Sequence, residues 1–186
     1  MDNKTLYENF DWAGIQEAAL KEKVIKVLEI IPSDVSSIVD VGCGNGLITN
    51  VLDKKYDVIG VDRSKKALSY VKAKTILASS DLIPLDSNSS DMVFSSEMLE
   101  HLEDKVLNAS ISEFKRISKK YIFITVPNEE NPDKLSIKCP ECSFIYNRPN
   151  HLRSFCKNDF ENLFPEYKIN DSFSFGKKVR YYNPRL

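Results

Sequence analysis

The sequence lacks any apolar run near the ~18–20 residues that a membrane span needs, and its start, Met1–Phe10, is polar rather than signal-like. Neither a membrane nor an export route is expected, which leaves a cytoplasmic setting by default. Cysteine is sparse. Four in 186 residues make no disulfide scaffold, and in a reducing compartment they serve as thiols or metal ligands. An excess of one charge is missing too: 26 basic against 27 acidic side chains leave −1, which argues against a general nucleic-acid binder. No internal repeat, low-complexity stretch or linker divides the chain. It reads as a single domain, residues 1–186, whose 42% hydrophobic content supports a sizeable core. The charge is uneven, with 16 basic and 22 acidic side chains in residues 1–133 but 10 and 5 in residues 134–186. Solvated lysines and arginines are the plainer account of that basic end, and an anionic substrate is the alternative.

Helix-like and strand-like segments alternate, the pattern of a parallel sheet with crossover helices. After Asp11 as N-cap, residues 13–31 place Ile15, Ala18, Ala19, Val24, Val27, Leu28 and Ile31 on one face, and Pro32 stops the helix. Ile38–Val41, Asp57–Val61, Thr75–Ala78, Asp91–Ser95 and Tyr121–Val126 read as strands. Helices are expected at about Leu47–Lys54, at Lys65–Ala73 and around Leu107, Ile111, Phe114 and Ile117. A helix at Asn158–Phe164 and strands at Tyr167–Phe173 and Lys178–Tyr182 close the chain, for seven strands in all. The expected fold is α/β, a doubly wound, mostly parallel seven-stranded sheet. Residues 1–31 form an N-terminal helical segment in which Tyr7, Phe10 and Trp12 are placed to serve as a lid, with core or surface packing as the alternative. Residues 128–156 are proline-rich and aperiodic, and loops of that length are usually functional or mobile.

The chemical signal is Ile38-Val39-Asp40-Val41-Gly42-Cys43-Gly44-Asn45-Gly46, a strand running into alternating glycines and then a helix. Glycine lets backbone approach a ligand, and a helix N-terminus offers free N–H groups. Twenty residues after Gly42 a second strand ends in Asp62, where doubly wound folds place an acid that accepts from ribose hydroxyls. A nicotinamide fingerprint would have Gly or Ala where Leu47 stands, and no Walker lysine follows the turn.

These motifs resemble those of class I S-adenosylmethionine-dependent methyltransferases, especially a small-molecule branch similar to ubiquinone-biosynthesis O-methyltransferases. Asp40–Gly46 is similar to the first motif, Asp62 falls on the ribose-binding acid, and Ser80-Asp81-Leu82-Ile83-Pro84-Leu85 is similar to the adenine-contacting stretch. Asp91–Leu102 is similar to the fourth strand and its loop. The resemblance implies a Rossmann-like methyltransferase fold and S-adenosylmethionine as cofactor. Gly42, Cys43 and Gly44 would admit its methionine part, and Asp40 would orient that end through water. Arg63 would flank the adenine, Ser80, Asp81 and Leu82 would fix its edge, and Ser96 would lie beside the sulfonium. Methyl transfer from a sulfonium gains much from proximity and orientation alone.

Where the acceptor must lose a proton a base is needed, and the two histidines, His101 and His151, are the candidates. His101 is the favoured catalytic residue. Glu97, Glu100 and His101 form an E-x-x-E-H set that, by the same resemblance, is associated with a divalent metal; packing and capping are the alternative. Cys139 and Cys142 make a C-x-x-C followed by His151 and Cys156, spacings that suit a structural zinc site. Free thiols in a substrate loop are the other reading. The expected activity is methyl transfer to a small-molecule oxygen or nitrogen. The rivals are a nicotinamide oxidoreductase and a non-catalytic cofactor-binding protein with a zinc-ordered interaction loop.

Overall fold

The computed structural model describes residues 3–14, 17–147 and 149–174. In chain order its elements are α1 (Asn3–Glu8), α2 (Glu17–Ile30), β1 (Ser37–Val41), α3 (Thr49–Leu52), β2 (Asp57–Asp62), α4 (Lys65–Leu68), β3 (Lys74–Leu77), β4 (Ser90–Ser96), α5 (Asp104–Ile117), β5 (Ser118–Thr125), β6 (Ser136–Lys138), β7 (Ile145–Asn147) and α6 (Lys157–Leu163). Five strands form one parallel sheet in the order β3-β2-β1-β4-β5. The chain winds one way from β1 to β3 and then returns to pair β4 against the other edge of β1. Strand order reverses there, and a crevice opens beyond the C-terminal ends of β1 and β4.

Burial on both faces explains why the central strands read as nearly continuous apolar runs. Successive side chains of a strand point to opposite faces. Val39, Val41, Val61 and Val93 accordingly pack with Leu107, Ile111, Phe114 and Ile117 of α5. Ile38, Val58, Met92 and Phe94 pack on the other face with Val27 and Ile31. The 4, 3, 3 spacing in α5 is the stripe that covers the sheet. Asp91 ties β4 to the start of β1: its Oδ2 accepts from the Ser36 hydroxyl at 2.6 Å and from the Ser36 and Ser37 amides at 2.9 and 3.2 Å. The Ser36 hydroxyl does most to hold that carboxyl well below the usual range.

Several expectations are corrected. The helix expected at 47–54 is only α3, four residues long, and that at 65–73 only α4. Tyr167–Phe173 is irregular rather than a strand and pairs with no strand among the described residues. Lys178–Tyr182 lies outside the described residues. Among the described residues the main sheet therefore has five strands, not seven. β6 and β7 pair antiparallel as a separate hairpin within the segment 128–156. That segment is anchored at its end, where Phe155 is buried and accepts from the Glu129 amide at 2.9 Å.

Candidate cofactor and acceptor site

A cavity of about 110 Å³ lies at the C-terminal ends of the strands. Val41 and Gly42 line it after β1, Asp62 and Arg63 after β2, Ser79 and Ser80 after β3, and Glu97, Met98 and His101 after β4. Tyr7 and Trp12 line it from the N-terminal segment, and Leu102 and Val106 add apolar wall. The two aromatic residues are pinned there: Trp12 Nε1 donates to the Tyr7 carbonyl at 2.8 Å, and Asn45 of the glycine turn donates to the Trp12 carbonyl at 2.8 Å. Phe10 is half out in solvent and packs edge-on against Trp12.

The turn after β1 requires glycine at two positions for two reasons. Gly42 has φ +76° and Gly44 φ +53°, the left-handed region. A Cβ on Gly42 would stand 2.4 Å from Met98 Cγ, and one on Gly44 2.8 Å from Trp12 Cζ3. The turn's backbone also organises the acid. Asp62 Oδ2 accepts from the Gly44 amide at 2.9 Å, and Oδ1 from the Ser64 amide at 2.8 Å. Burial still pushes this carboxyl above its ordinary range, against the pull of those two amides.

The remaining residues named from sequence are placed unevenly. Ser80 lines the cavity and accepts from the Ser110 hydroxyl at 2.8 Å. Asp81 is half-buried and Leu82 protrudes into solvent, both outside the lining. Their loop is nevertheless clamped. Glu113 accepts from the Ile83 amide at 2.8 Å, while Arg116 donates to the Ile83 and Leu85 carbonyls at 2.9 and 2.5 Å. Asp40 stands behind the cavity rather than in it. It is buried, accepts from Thr49 Oγ1 at 2.7 Å, and burial drives its carboxyl to about 7. Cys43 turns inward against Gly60, and burial pushes its thiol well up. The Ser96 hydroxyl pairs with Thr125 at 2.9 Å instead of facing the cavity.

At the other end the turn Leu99–His101 carries Glu100 and His101. Glu100 is 1% exposed, and neither carboxylate oxygen has a hydrogen-bond partner. Burial, and then the charge of Glu97, raise it to about 8. His101 lines the cavity, and its Nδ1 lies 3.0 Å from the Asn150 carbonyl. Burial lowers its pKa, so the ring is neutral at pH 7. Tyr7 packs edge-on to His101, its hydroxyl turned toward Asn150 without full hydrogen-bond geometry, and burial raises it to about 12. Two non-glycine residues with left-handed backbone bracket this end, Glu97 at φ 53° and Asn150 at φ 59°. Such strain concentrates where surrounding structure fixes a working geometry.

The zinc set expected from Cys139, Cys142, His151 and Cys156 is not assembled. Cys139 and Cys142 sit in the turn of the β6–β7 hairpin. Cys156 instead caps α6, its thiol accepting from the Asp159 amide while Asp159 Oδ2 accepts from the Cys156 amide at 2.7 Å. His151 joins Glu100 and His101. One ligand atom from each of these three lies within 4.8 Å of the others, and no other potential metal-binding group of this kind occurs among the described residues. Glu97, which the E-x-x-E-H reading included, is engaged elsewhere: it pairs with Lys23 at 2.7 Å and accepts from Thr125 at 3.0 Å. Glu130, in contact with His151 Nδ1, had no motif to announce it. The Glu113–Arg116 clamp was equally silent in sequence, although its i,i+3 spacing in a helix is the one signal it carries.

Residues 39–123, a little under half of the chain, match the model of the family described as "Methyltransferase domain". Among solved structures, an S-adenosylmethionine-dependent methyltransferase from Archaeoglobus fulgidus is 20% identical. It superposes with a TM-score of 0.64 over 81% of this chain and 68% of that one. A protein from Pyrococcus horikoshii OT3 is 16% identical, with a TM-score of 0.64 over 91% and 89%. Phosphoethanolamine N-methyltransferase 1 of Haemonchus contortus, solved with phosphoethanolamine and S-adenosylhomocysteine, is 16% identical, with a TM-score of 0.60 over 71% of this chain and 33% of that one. No curated protein matches the sequence significantly. Likeness at these identities is likeness of fold. No helix of the described residues is long and apolar enough to cross a membrane.

Proposed function

We propose that this chain, an S-adenosylmethionine-dependent methyltransferase, moves the methyl group to an oxygen or nitrogen of a small-molecule acceptor bound between the cofactor and His101. The observation that carries the reading is the pairing of a phosphate-free glycine turn with Asp62 across the switch point of the sheet. Ribose hydroxyls would donate to the oxygens of Asp62, which the Gly44 and Ser64 amides already hold in place. The backbone at Gly42, Cys43 and Gly44 would admit the methionine part, with Arg63 and Ser80 near the adenine. Asp81 and Leu82 would meet its edge from the clamped loop. Tyr7 and Trp12 line the same cavity as Gly42 and Asp62 and would cover the bound cofactor. The N-terminal segment then acts as the lid, and residues 128–156 supply acceptor contacts. An anionic acceptor is the reading under which the basic character of residues 134–186 would serve the site.

Calorimetry with S-adenosylmethionine, S-adenosylhomocysteine and NAD tests this. Binding of the first two at micromolar affinity, with none for NAD, is the expected result. Micromolar NAD binding with silence toward the methyl donor would overturn the reading.

A further inference from the structure

Glu100 poses a physical problem that the cofactor site does not solve. An ionised carboxylate held out of water without partners costs several kcal/mol, and this one has no hydrogen-bond donor on either oxygen. What faces it are two imidazoles. His101 Nε2 lies 3.9 Å and His151 Nε2 4.0 Å from the same atom, Glu100 Oε1. The far nitrogen of each ring fixes its tautomer. The Asn150 carbonyl only accepts, so His101 Nδ1 carries the hydrogen it donates there. The Glu130 carboxylate takes the hydrogen of His151 Nδ1 in the same way. With the hydrogen on Nδ1, the acceptor nitrogen of each ring is Nε2, the atom near Glu100. One ligand atom from each of the three residues lies within 4.8 Å of the others, and an electron-poor centre is what all three would share.

We propose that Glu100, His101 and His151 hold one divalent transition-metal ion, zinc by preference, at the acceptor end of the pocket. Two imidazoles and one carboxylate are a ligand set that zinc accepts while keeping a fourth position open. The second shell is the kind such sites use, a backbone carbonyl behind one histidine and a carboxylate behind the other. Tetrahedral zinc at ~2.0–2.1 Å from each ligand sets the ligand atoms about 3.3 Å apart. The ligand atoms, 3.9 and 4.0 Å apart for the two pairs with Glu100 and all within 4.8 Å of one another, would draw together by up to about 1.5 Å. The set differs from the one implied by the E-x-x-E-H resemblance, because Glu97 is spent on Lys23 and Thr125 and its place falls to His151.

His101 also lines the cavity, so the ion sits at its wall. Its role there, unlike its binding, rests on the methyl-transfer reading. A hydroxyl acceptor bound in the open position loses its proton to solvent more readily, as water does on zinc. The oxygen then forms a bond to the methyl carbon. The carbon–sulfur bond breaks, and its electron pair neutralises the sulfonium. On this account the acceptor class is hydroxyl-bearing small molecules, and His101 acts as ligand rather than as base.

The test uses the full chain, stripped with chelator and titrated with cobalt(II) and then zinc(II), with S-adenosylhomocysteine binding measured on the same samples. One cobalt per chain is expected, with the strong visible absorption of a low-coordinate site, displaced by zinc. Glu100→Gln and His151→Ala should abolish it, and Glu130→Gln should weaken metal affinity by ~10–100-fold. The Cys139→Ser/Cys142→Ser double variant should leave it intact. S-adenosylhomocysteine binding should hold in every variant. If Glu100→Gln fails to fold, the two variants at His151 and Glu130 still decide. Folded wild-type protein that binds S-adenosylhomocysteine but takes up neither metal would overturn the site and spare the methyl-transfer reading. Metal uptake that survives His151→Ala but disappears in the cysteine double variant would overturn it as well. Metal uptake without any cofactor binding would sink the methyl-transfer reading and leave the site standing.

Discussion

Asp62 and Glu100 are both acids withdrawn from water at the rim of the same sheet, one ending β2 and the other in the turn after β4. Asp62 receives a backbone amide on each oxygen. Glu100 receives nothing on either. The first pattern belongs to a site whose ligand brings hydroxyl donors to an acid already held in place. The second belongs to a site that is complete only with a proton or a cation. The two ends of the pocket are thus prepared differently. The proposed cofactor end is built on strand ends and glycines. The acceptor end is assembled from two strained positions, a short turn and a segment returning from far along the chain.

The sharpest way to break the comparison is to remove His101. His101→Ala should slow methyl transfer by ~10²–10⁴-fold, the size of effect expected when help in removing the acceptor's proton is lost, here through the ion that His101 would hold, while cofactor affinity stays within about twofold. An unchanged rate with a lowered melting temperature would make His101 a packing residue, and the acceptor end would have to be sought elsewhere.

A second test separates acids that serve the fold from acids that serve a ligand. Asp40 is buried behind the turn, and its carboxyl is raised to about 7 from 3.8. The folded state therefore holds a proton that the unfolded state releases. Its contribution is fully present below the unfolded pKa and is lost as pH rises through the folded one. Between pH 4 and 7 the wild type should lose on the order of 2–4 kcal/mol relative to Asp40→Asn, read from urea midpoints at each pH. The asparagine keeps an acceptor for Thr49. Parallel pH profiles for the two proteins would show that Asp40 is ionised in the fold.

How legible these ends were in the sequence follows the same division. The glycine turn, Asp62 and the stripe Leu107, Ile111, Phe114 and Ile117 are local patterns, set by backbone conformation and helical period. The structure has them where the pattern put them. The short reach of α3 and α4 was not legible, because nothing local distinguishes a helix from one truncated by packing. Tyr167–Phe173 misled for a related reason: alternation is a local pattern, whereas pairing, absent here among the described residues, depends on the rest of the fold. The meeting of His101 with His151 depends on a hairpin carrying the chain out and back across some fifty positions, as the His101–Asn150 contact shows. Spacing to Cys139 and Cys142 pointed His151 toward its neighbours in sequence, whereas folding brought it to Glu100.

At the cofactor end, Asp62→Ala should weaken S-adenosylhomocysteine binding by ~1.5–3 kcal/mol, the value of hydrogen bonds to a charged group, with metal uptake unchanged. It also frees the Gly44 and Ser64 amides, so Asp62→Asn is the better control for the shape of the turn. If Asp62→Ala binds as tightly as the parent, the acid does not hold the ribose.

The smallest effect belongs to the cysteines of the hairpin, and it sharpens the contrast between a cluster that folding assembled and a spacing that it did not. Cys142 is exposed, and the neighbouring Phe144, Ile145 and Tyr146 are exposed as well, so the hairpin tip buries little. Removing both thiols with Cys139→Ser and Cys142→Ser should therefore change global stability by no more than about 0.5 kcal/mol. Reactivity should order the thiols by environment. Amides of Cys142 and Glu141 donate to the Cys139 sulfur and lower its pKa, whereas burial raises that of Cys43. Thiolate is the reactive form, so a disulfide reagent at neutral pH should modify Cys139 first in the native protein and Cys43 only on unfolding. Protection of Cys139 and Cys142, released by a chelator, would mean that a metal does reach the hairpin with ligands other than His151.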